Sequence, residues 1–131
     1  MTHRVSGTFE VKVSPQAPEE GVGDATVGRL ALDKQFSGGL AATSKGQMLA
    51  TQGAVAGSAG YVAMERVIGT LDGKTGTFAL QHSGTMDRGT PSLSVTVVPD
   101  SGTGDLEGLV GTMSIDISDG KHSYALEYVL P

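Results

Sequence analysis

The chain has 131 residues, which is the size of one domain, and we treat residues 1–131 as a single β-barrel domain on the pattern described below. Its net charge of -5, with no cluster of Lys and Arg, argues against a nucleic-acid partner, and the absence of cysteine excludes disulfides, thiolate metal sites and a cysteine nucleophile. No segment approaches the roughly 20 apolar residues of a membrane helix and the N-terminus lacks a signal-peptide pattern, so we expect a cytoplasmic protein without a membrane partner.

Alternation of apolar and polar residues with a period of two predicts β-strands along the whole chain. The first strand, residues 5–13, has the sequence VSGTFEVKV, with its apolar side chains on one face. A polar loop rich in Pro, Gly and Glu follows, and the run TVGRLALDKQFS then predicts a second strand whose apolar face also carries Lys34. A turn at Gly38-Gly39 leads into a third strand, LAATSKGQMLAT.

Two apolar runs joined at Asp72-Gly73 predict strands four and five, YVAMERVIGTL and KTGTFALQHSG. Asp-Gly between alternating hydrophobic residues is the strongest short-range signal for a hairpin. Strand six is predicted in SLSVTVVP, and after the loop DSGTGDLEG the run LVGTMSIDIS predicts strand seven. A second Asp-Gly turn, Asp119-Gly120, leads to strand eight, HSYALEYVL.

Eight consecutive strands with short connections and no helix favour an all-β, eight-stranded antiparallel up-and-down β-barrel over a sandwich. A barrel of this size is either just filled by its side chains or able to hold one small ligand. Small residues on the inward faces are compatible with both, and we favour a cavity. These small residues include Ala42, Ala63, Gly84 and Gly111.

Five stretches resemble an uncharacterised bacterial family of small barrels: GTFEV, KQFSGGL, ERVIGTLDGKTGTFALQHSGT, VVPDSGTGDLEGLVG and YALEY. The resemblance runs over nearly the whole chain, and QHSGT and SGTGDLEGLVG are its most specific parts. This family is similar in fold to allene oxide cyclase, and a comparable Gly-Thr-Gly turn occurs in allene oxide cyclases and in dirigent proteins, whose barrels guide the cyclisation or coupling of apolar intermediates. The resemblance thus implies an allene-oxide-cyclase-like barrel, but it brings no catalytic residue with it.

The parity of the Asp72-Gly73 hairpin puts Glu65 and His82 on the same face. A two-residue or a four-residue loop gives the same parity, and the other face of strand five is polar, so the shared face should line the interior. With the four-residue loop Glu65 and His82 are directly opposed, and with the two-residue loop they are diagonal neighbours. The inward set is Tyr61, Ala63, Glu65, Val67, Phe78, Leu80 and His82.

Glu65 and His82 are the candidate catalytic residues. Apolar surroundings would raise the pKa of Glu65 unless His82 or Lys34 pairs with it, and a perturbed carboxylate is a candidate general base that His82 would orient or serve as a proton shuttle. A structural ion pair for Glu65 and a core position for His82 stay open as alternatives. The candidate substrate-binding residues are Tyr61, Phe78, Leu80, Lys34, Tyr124 and Tyr128. Of these, Lys34 also fits a rim residue whose charged end reaches water, and the tyrosines also fit packing residues whose hydroxyls find a partner.

We predict no metal and no cofactor. The histidines at positions 3, 82 and 122 offer no metal-ligand spacing within a strand, although His82, His122 and Glu65 could converge on an ion. The run GTLDGKT is one residue short of a phosphate-binding loop and lies between two strands, and GTGDLEG departs from the dinucleotide fingerprint.

The leading functional hypothesis is a barrel that binds a small apolar or amphipathic molecule in its lumen and acts as an isomerase or cyclase without a cofactor. A non-catalytic carrier or sensor of a hydrophobic ligand is the first alternative. A structural oligomerisation module is the second, because Val62, Met64 and Ile68 form an apolar outer face on strand four. This face leads us to expect a homo-oligomer.

Overall fold

The computed structural model describes all residues 1–131 and contains a closed barrel of eight antiparallel strands in sequence order, as the alternation predicts. No helix of the protein has the length and apolar character needed to cross a bilayer. A short 3-10 turn spans Gly104–Leu106. The strands are β1 His3–Pro15, β2 Gly28–Gly38, β3 Leu40–Gln52, β4 Ala59–Leu71, β5 Lys74–Asp87, β6 Thr90–Val97, β7 Val110–Ser118 and β8 Lys121–Val129.

Both predicted Asp-Gly turns are confirmed as two-residue hairpin loops. Asp72 and Gly73 have φ angles of 48° and 83°, and Asp119 and Gly120 have 53° and 75°. Left-handed backbone at both central residues matches the right-handed twist of the flanking strands, and Gly adopts it without steric cost. The first turn pairs Leu71 with Lys74 and therefore fixes the register of β4 and β5.

Burial alternates along β4 and β5 as the parity argument predicts. Ala63, Glu65 and Val67 are buried, whereas the residues between them are exposed. Phe78, Leu80, His82 and Gly84 of β5 are buried in the same way, and Tyr61 is half-buried. The predicted inward set is confirmed, and its members Val67, Phe78 and Leu80 belong to a contiguous core, where each buried large side chain contributes about 1.5–3 kcal/mol.

The end of the barrel that holds the β4–β5 turn is closed, and we call it the closed end. The long β6–β7 connection folds back along β5, where the backbone N–H of Thr103 donates to the carbonyl of Thr77 at 2.8 Å. This connection places the side chains of Leu106 and Leu109 in the core with no exposed surface. The glycine-rich segment SGTGDLEGLVG is therefore the plug of the closed end.

The opposite end holds the β1–β2, β3–β4, β5–β6 and β7–β8 connections, and we call it the open end. Apolar side chains whose register points inward become exposed there: Leu93 is 41% exposed and Ile117 is 64% exposed, although Val95 and Met113, deeper on the same strands, are buried. Between this end and the plug the core side chains are buried in one contiguous cluster, among them Phe78, Leu80 and Val95. The cavity favoured from the sequence therefore does not extend through the core, and we call the inner surface of the open end, with Leu93 and Ile117 exposed on it, the cup.

Candidate functional site

Four polar side chains are buried in the middle of the barrel, and we call them the buried polar cluster. They come from four successive strands: Lys34 from β2, Ser44 from β3, Glu65 from β4 and His82 from β5. All four face inward because each lies on the buried parity of its strand. The strand pattern thus brings one polar group from each strand to the same interior space.

Glu65 is the centre of the buried polar cluster. Its Oε2 lies 2.7 Å from Nζ of Lys34 and 2.7 Å from Nε2 of His82, and its Oε1 accepts a hydrogen bond from Oγ of Ser44 at 2.9 Å. The side chain of Glu65 has no exposed surface. Three partners therefore occupy a carboxylate that no solvent-borne molecule reaches.

These partners reverse the effect of burial on Glu65. Burial alone would raise the pKa of the carboxyl group, but the hydrogen bond with His82 and the positive charge of Lys34 together hold the pKa below its ordinary value. Glu65 is therefore ionised at neutral pH. The sequence led us to expect a raised pKa for Glu65 only if neither His82 nor Lys34 pairs with it. Both residues pair with Glu65, so that condition is not met.

The ionised carboxylate fixes the orientation of the His82 ring and determines which ring nitrogen carries the hydrogen in their contact. A carboxylate only accepts hydrogen bonds, so Nε2 of His82 must carry the hydrogen in the 2.7 Å contact. Nδ1 has no hydrogen-bond partner within the protein, and every fully enclosed side-chain nitrogen and oxygen atom does have one, so Nδ1 is not fully enclosed. In the neutral ring Nδ1 is a lone-pair acceptor, held by a residue that is only 4% exposed.

Tyr61 stands beside His82 toward the open end. The register pairs Ala63 with His82 and Tyr61 with Gly84, and the Tyr61 ring lies so close to Gly84 that a Cβ there would overlap it. The Tyr61 hydroxyl is not enclosed and has no partner within the protein. Burial of the ring raises the pKa of Tyr61, so the hydroxyl stays protonated at neutral pH and can donate a hydrogen bond.

Four of the candidate substrate-binding residues lie in the sealed part of the barrel, where their side chains contact protein partners, and their assignment as ligand contacts stays a prediction. Phe78 and Leu80 are fully buried among core residues, on the plug side of His82. The Tyr124 hydroxyl donates to the carbonyl of Ser37 at 2.8 Å, and the Tyr128 hydroxyl donates to Asp72 at 3.3 Å. The apolar side chains pack in the core at the closed end, and the two tyrosine hydroxyls form hydrogen bonds with protein groups there.

Lys34 also differs from the rim interpretation of the sequence. Lys34 is only 5% exposed and is bound to Glu65, so it is not a rim residue whose ammonium group reaches water. Its Nζ also lies 5.0 Å from the centre of the Phe9 ring, in a cation–π contact. His122 packs on the other side of the open end, with its ring centre 5.1 Å from that of Phe9. No group of three His, Asp or Glu side chains converges in a way that could hold a metal ion.

Ser44 is the one member of the buried polar cluster that sequence reasoning missed. It occupies an inward position of β3, between the partly buried Ala42 and Gly46. A hydroxyl in a row of small inward residues is the available signal, because a buried hydroxyl needs a hydrogen-bond partner. Glu65 is that partner.

Comparisons with known proteins place the chain among others of the same fold. A family model described as "Protein of unknown function (DUF3224)" matches residues 5–128. The chain is 47% identical to a Shewanella oneidensis MR-1 protein whose crystal structure is described as that of a DUF3224 protein of unknown function; the match covers 100% of this chain and 98% of that one, with a TM-score of 0.91. No curated protein matches the chain. The expected uncharacterised family is supported, and the relation to allene oxide cyclase stays a prediction.

Proposed function

The chain belongs to the DUF3224 family of proteins of unknown function, and from the geometry of its open end we propose that it binds a small apolar molecule in the cup and moves a proton on it with His82. The observation that carries this proposal is the pairing of His82. One ring nitrogen is held by a buried carboxylate, while the other has no partner within the protein and is not fully enclosed. That is the arrangement by which a carboxylate orients a histidine as a general base.

In the proposed reaction Nδ1 of neutral His82 takes a proton from one atom of the bound molecule and returns it to another atom of the same molecule. The net reaction is an isomerisation, which includes ring closure or ring opening and needs no cofactor. The imidazolium formed in between is stabilised by the ionised Glu65 at 2.7 Å. The apolar wall excludes water and orients the ligand, and the Tyr61 hydroxyl donates a hydrogen bond to developing negative charge.

The roles of the two candidate catalytic residues change in this proposal. Glu65 is enclosed and has three partners, so it acts as a positioning residue rather than as the base. Lys34 neutralises Glu65 and keeps the cluster from becoming a buried net negative charge. Within the buried polar cluster, the proposal assigns the reactive atom to His82 alone.

The proposal is tested with 5-nitrobenzisoxazole, a small apolar compound that isomerises to a cyanophenolate when a base removes one C–H proton. The N–O bond breaks as the C–H electrons form the nitrile, so no co-reactant is needed, and the product is followed by its absorbance. We expect saturable acceleration by the native protein and a loss of about 100-fold or more in His82→Gln, the range ascribed to a positioned general base. His3→Gln is the matched control, because His3 lies at the other end of the barrel against Tyr128.

Equal rates for native protein and His82→Gln would refute the catalytic role of His82. Saturable binding of the probe without rate enhancement favours the carrier alternative, in which the same cup only holds a ligand. Binding is followed separately through the NMR signals of the His82 ring. If the probe leaves these signals unchanged at all concentrations, both the enzyme hypothesis and the carrier hypothesis are excluded.

A second candidate function, an oligomerisation module, is favoured by the outer face of β4. Val62, Met64 and Ile68 are 52%, 53% and 56% exposed, and Leu49 on β3 continues the apolar surface. We propose a homo-oligomer through this face, and multi-angle light scattering of native protein and Met64→Asp tests it. A monomer in both cases would remove this function. The cytoplasmic location stays a prediction.

A further inference from the structure

On one side of the cup, two neighbouring strands of the barrel wall are largely unpaired. Strands β6 and β7 are paired only through Val95 with Met113 and Thr96 with Thr112. Every other neighbouring pair of strands shares seven to thirteen such residue pairs. Extending the register toward the open end would pair Leu93 with Ile115, but this pair is not formed. We call the unpaired edges, residues 90–94 and 114–118, the seam.

The sequence supplies a reason for the seam on the β6 side. Pro91 lies near the start of β6 and has no backbone N–H, so it cannot donate to a strand ladder, and proline is largely confined to strand edges and strand starts. The seam is nevertheless apolar on its inner surface. Leu93 is 41% exposed, Ile117 is 64% exposed and Ile115 is half-buried, although the register of all three points toward the interior.

The seam begins beside His82. The register of β5 and β6 pairs His82 with Val95, the inward-facing residue of β6 that directly adjoins the seam. It pairs Gly84 with Leu93, which lies within the seam. On the plug side of His82 the core residues Leu80 and Val97 are buried. A molecule with a polar group on Nδ1 of His82 must therefore extend toward the open end, along the inner surface of the seam.

We propose that the seam receives the aliphatic chain of an elongated alcohol whose hydroxyl donates a hydrogen bond to Nδ1 of His82. This inference rests on the proposed function and names its ligand class. A neutral donor fits because Nδ1 of neutral His82 is an acceptor, and the opposite charges of Lys34 and Glu65 cancel beneath it. An elongated ligand fits because five strand residues span roughly 15 Å along an apolar strip, whereas the core leaves no matching space in the other direction.

The experiment titrates the native protein with 1-hexanol and with 1-decanol, and reads the dissociation constant from the NMR signals of the His82 ring. Each methylene group that is fully buried strengthens binding by about fourfold, so we expect 1-decanol to bind more tightly by about twofold to fourfold per added methylene. The test variant is Ile117→Gln, which replaces a seam side chain. The matched control is Val110→Gln, since Val110 lies on the outward face of the same strand and is 63% exposed.

Ile117→Gln is expected to weaken binding of 1-decanol by about threefold to tenfold and to leave 1-hexanol unchanged, because the short chain ends before this side chain. Val110→Gln is expected to change neither constant. If 1-hexanol binds at His82 and 1-decanol binds no more tightly, the proposal that the seam receives the aliphatic chain is refuted, while the proposed function stays in place. Equal effects of the two variants on decanol would overturn the seam proposal as well. Failure of both alcohols to shift the His82 signals would count against the proposed function itself.

Discussion

Nε2 of His82 lies 2.7 Å from Oε2 of Glu65, although the register of β4 and β5 sets His82 opposite Ala63 and Glu65 opposite Leu80. The contact is therefore diagonal across the sheet, where two long side chains still meet. The small side chain of Ala63 leaves space beside the imidazole for the carboxylate of Glu65. This geometry gives His82 one fixed nitrogen and one free nitrogen.

The first prediction concerns the tautomer of His82. The neutral ring should carry its hydrogen on Nε2, because the ionised Glu65 can only accept it. Nitrogen-15 NMR of the His82 ring at pH 8 should give one protonated and one unprotonated nitrogen, with Nε2 as the protonated one. In Glu65→Gln this preference is expected to weaken. A hydrogen on Nδ1 in the native protein would contradict the proposed base.

The second prediction concerns the buried ion pair. Glu65→Gln leaves the ammonium group of Lys34 buried without its counter-charge, so the free energy of unfolding should fall by about 3–5 kcal/mol. Adding Lys34→Met should restore part of the loss, because both charges are then removed. Urea unfolding followed by circular dichroism measures both variants, with the exposed Glu127→Gln as control. Additive losses in the double variant would contradict the coupling.

The third prediction is a loss of stability in acid that depends on Glu65. The pKa of Glu65 is lowered in the folded protein from its ordinary value of 4.5, so the unfolded chain takes up the proton first as the pH falls. The stabilisation by Glu65 is therefore complete above the ordinary value and is lost as the pH falls toward the folded pKa. Urea midpoints between pH 7 and pH 3 should decline more steeply in the native protein than in Glu65→Gln. Parallel curves would show that Glu65 is not responsible.

The fourth prediction separates two tyrosines by their hydrogen bonds. The Tyr124 hydroxyl accepts from the N–H of Leu40 at 3.0 Å and donates to the carbonyl of Ser37. Tyr124→Phe leaves the buried N–H of Leu40 without this partner and should cost about 1–3 kcal/mol in thermal or urea unfolding. Tyr61→Phe should change stability by no more than about 0.5 kcal/mol, because its hydroxyl has no protein partner. Equal costs would contradict the assignment of Tyr61 to the cup.

The fifth prediction concerns the plug of the closed end. A Cβ on Gly102 would overlap the backbone carbonyl of Leu106, so Gly102→Ala must move the backbone that places Leu106 in the core. We expect a loss of about 1–3 kcal/mol, the usual cost of overpacking. Gly28→Ala is the matched control, because a Cβ there meets one backbone oxygen at 3.8 Å and no other atom within 4 Å. Hydrogen exchange of the Val98–Leu109 backbone should accelerate only in Gly102→Ala.

The strand pattern was sufficient to predict the barrel. Side chains alternate with a period of two, and Asp-Gly turns fix hairpins locally, so the eight strands and their inward faces could be read from residues a few positions apart. The presence of Glu65 and His82 in one interior space followed from the same parity. These features depend only on short-range geometry.

The contacts of those side chains depended on the closed structure. Parity could not choose between opposed and diagonal positions for Glu65 and His82, and it could not tell that Lys34, two strands away, would bind the same carboxylate rather than reach water. Those outcomes depend on the stagger of strands around the barrel, which no single hairpin specifies. The sealing of Phe78 and Leu80 likewise depended on the plug, a connection far away in sequence.

The sequence by itself determined which side chains face the interior of this protein, because the pleat is a local property of each strand. Only the tertiary structure decided which of them meet, which end is filled and where the wall between β6 and β7 is left unpaired. Those outcomes depend on barrel closure, which brings together strands that are distant along the chain.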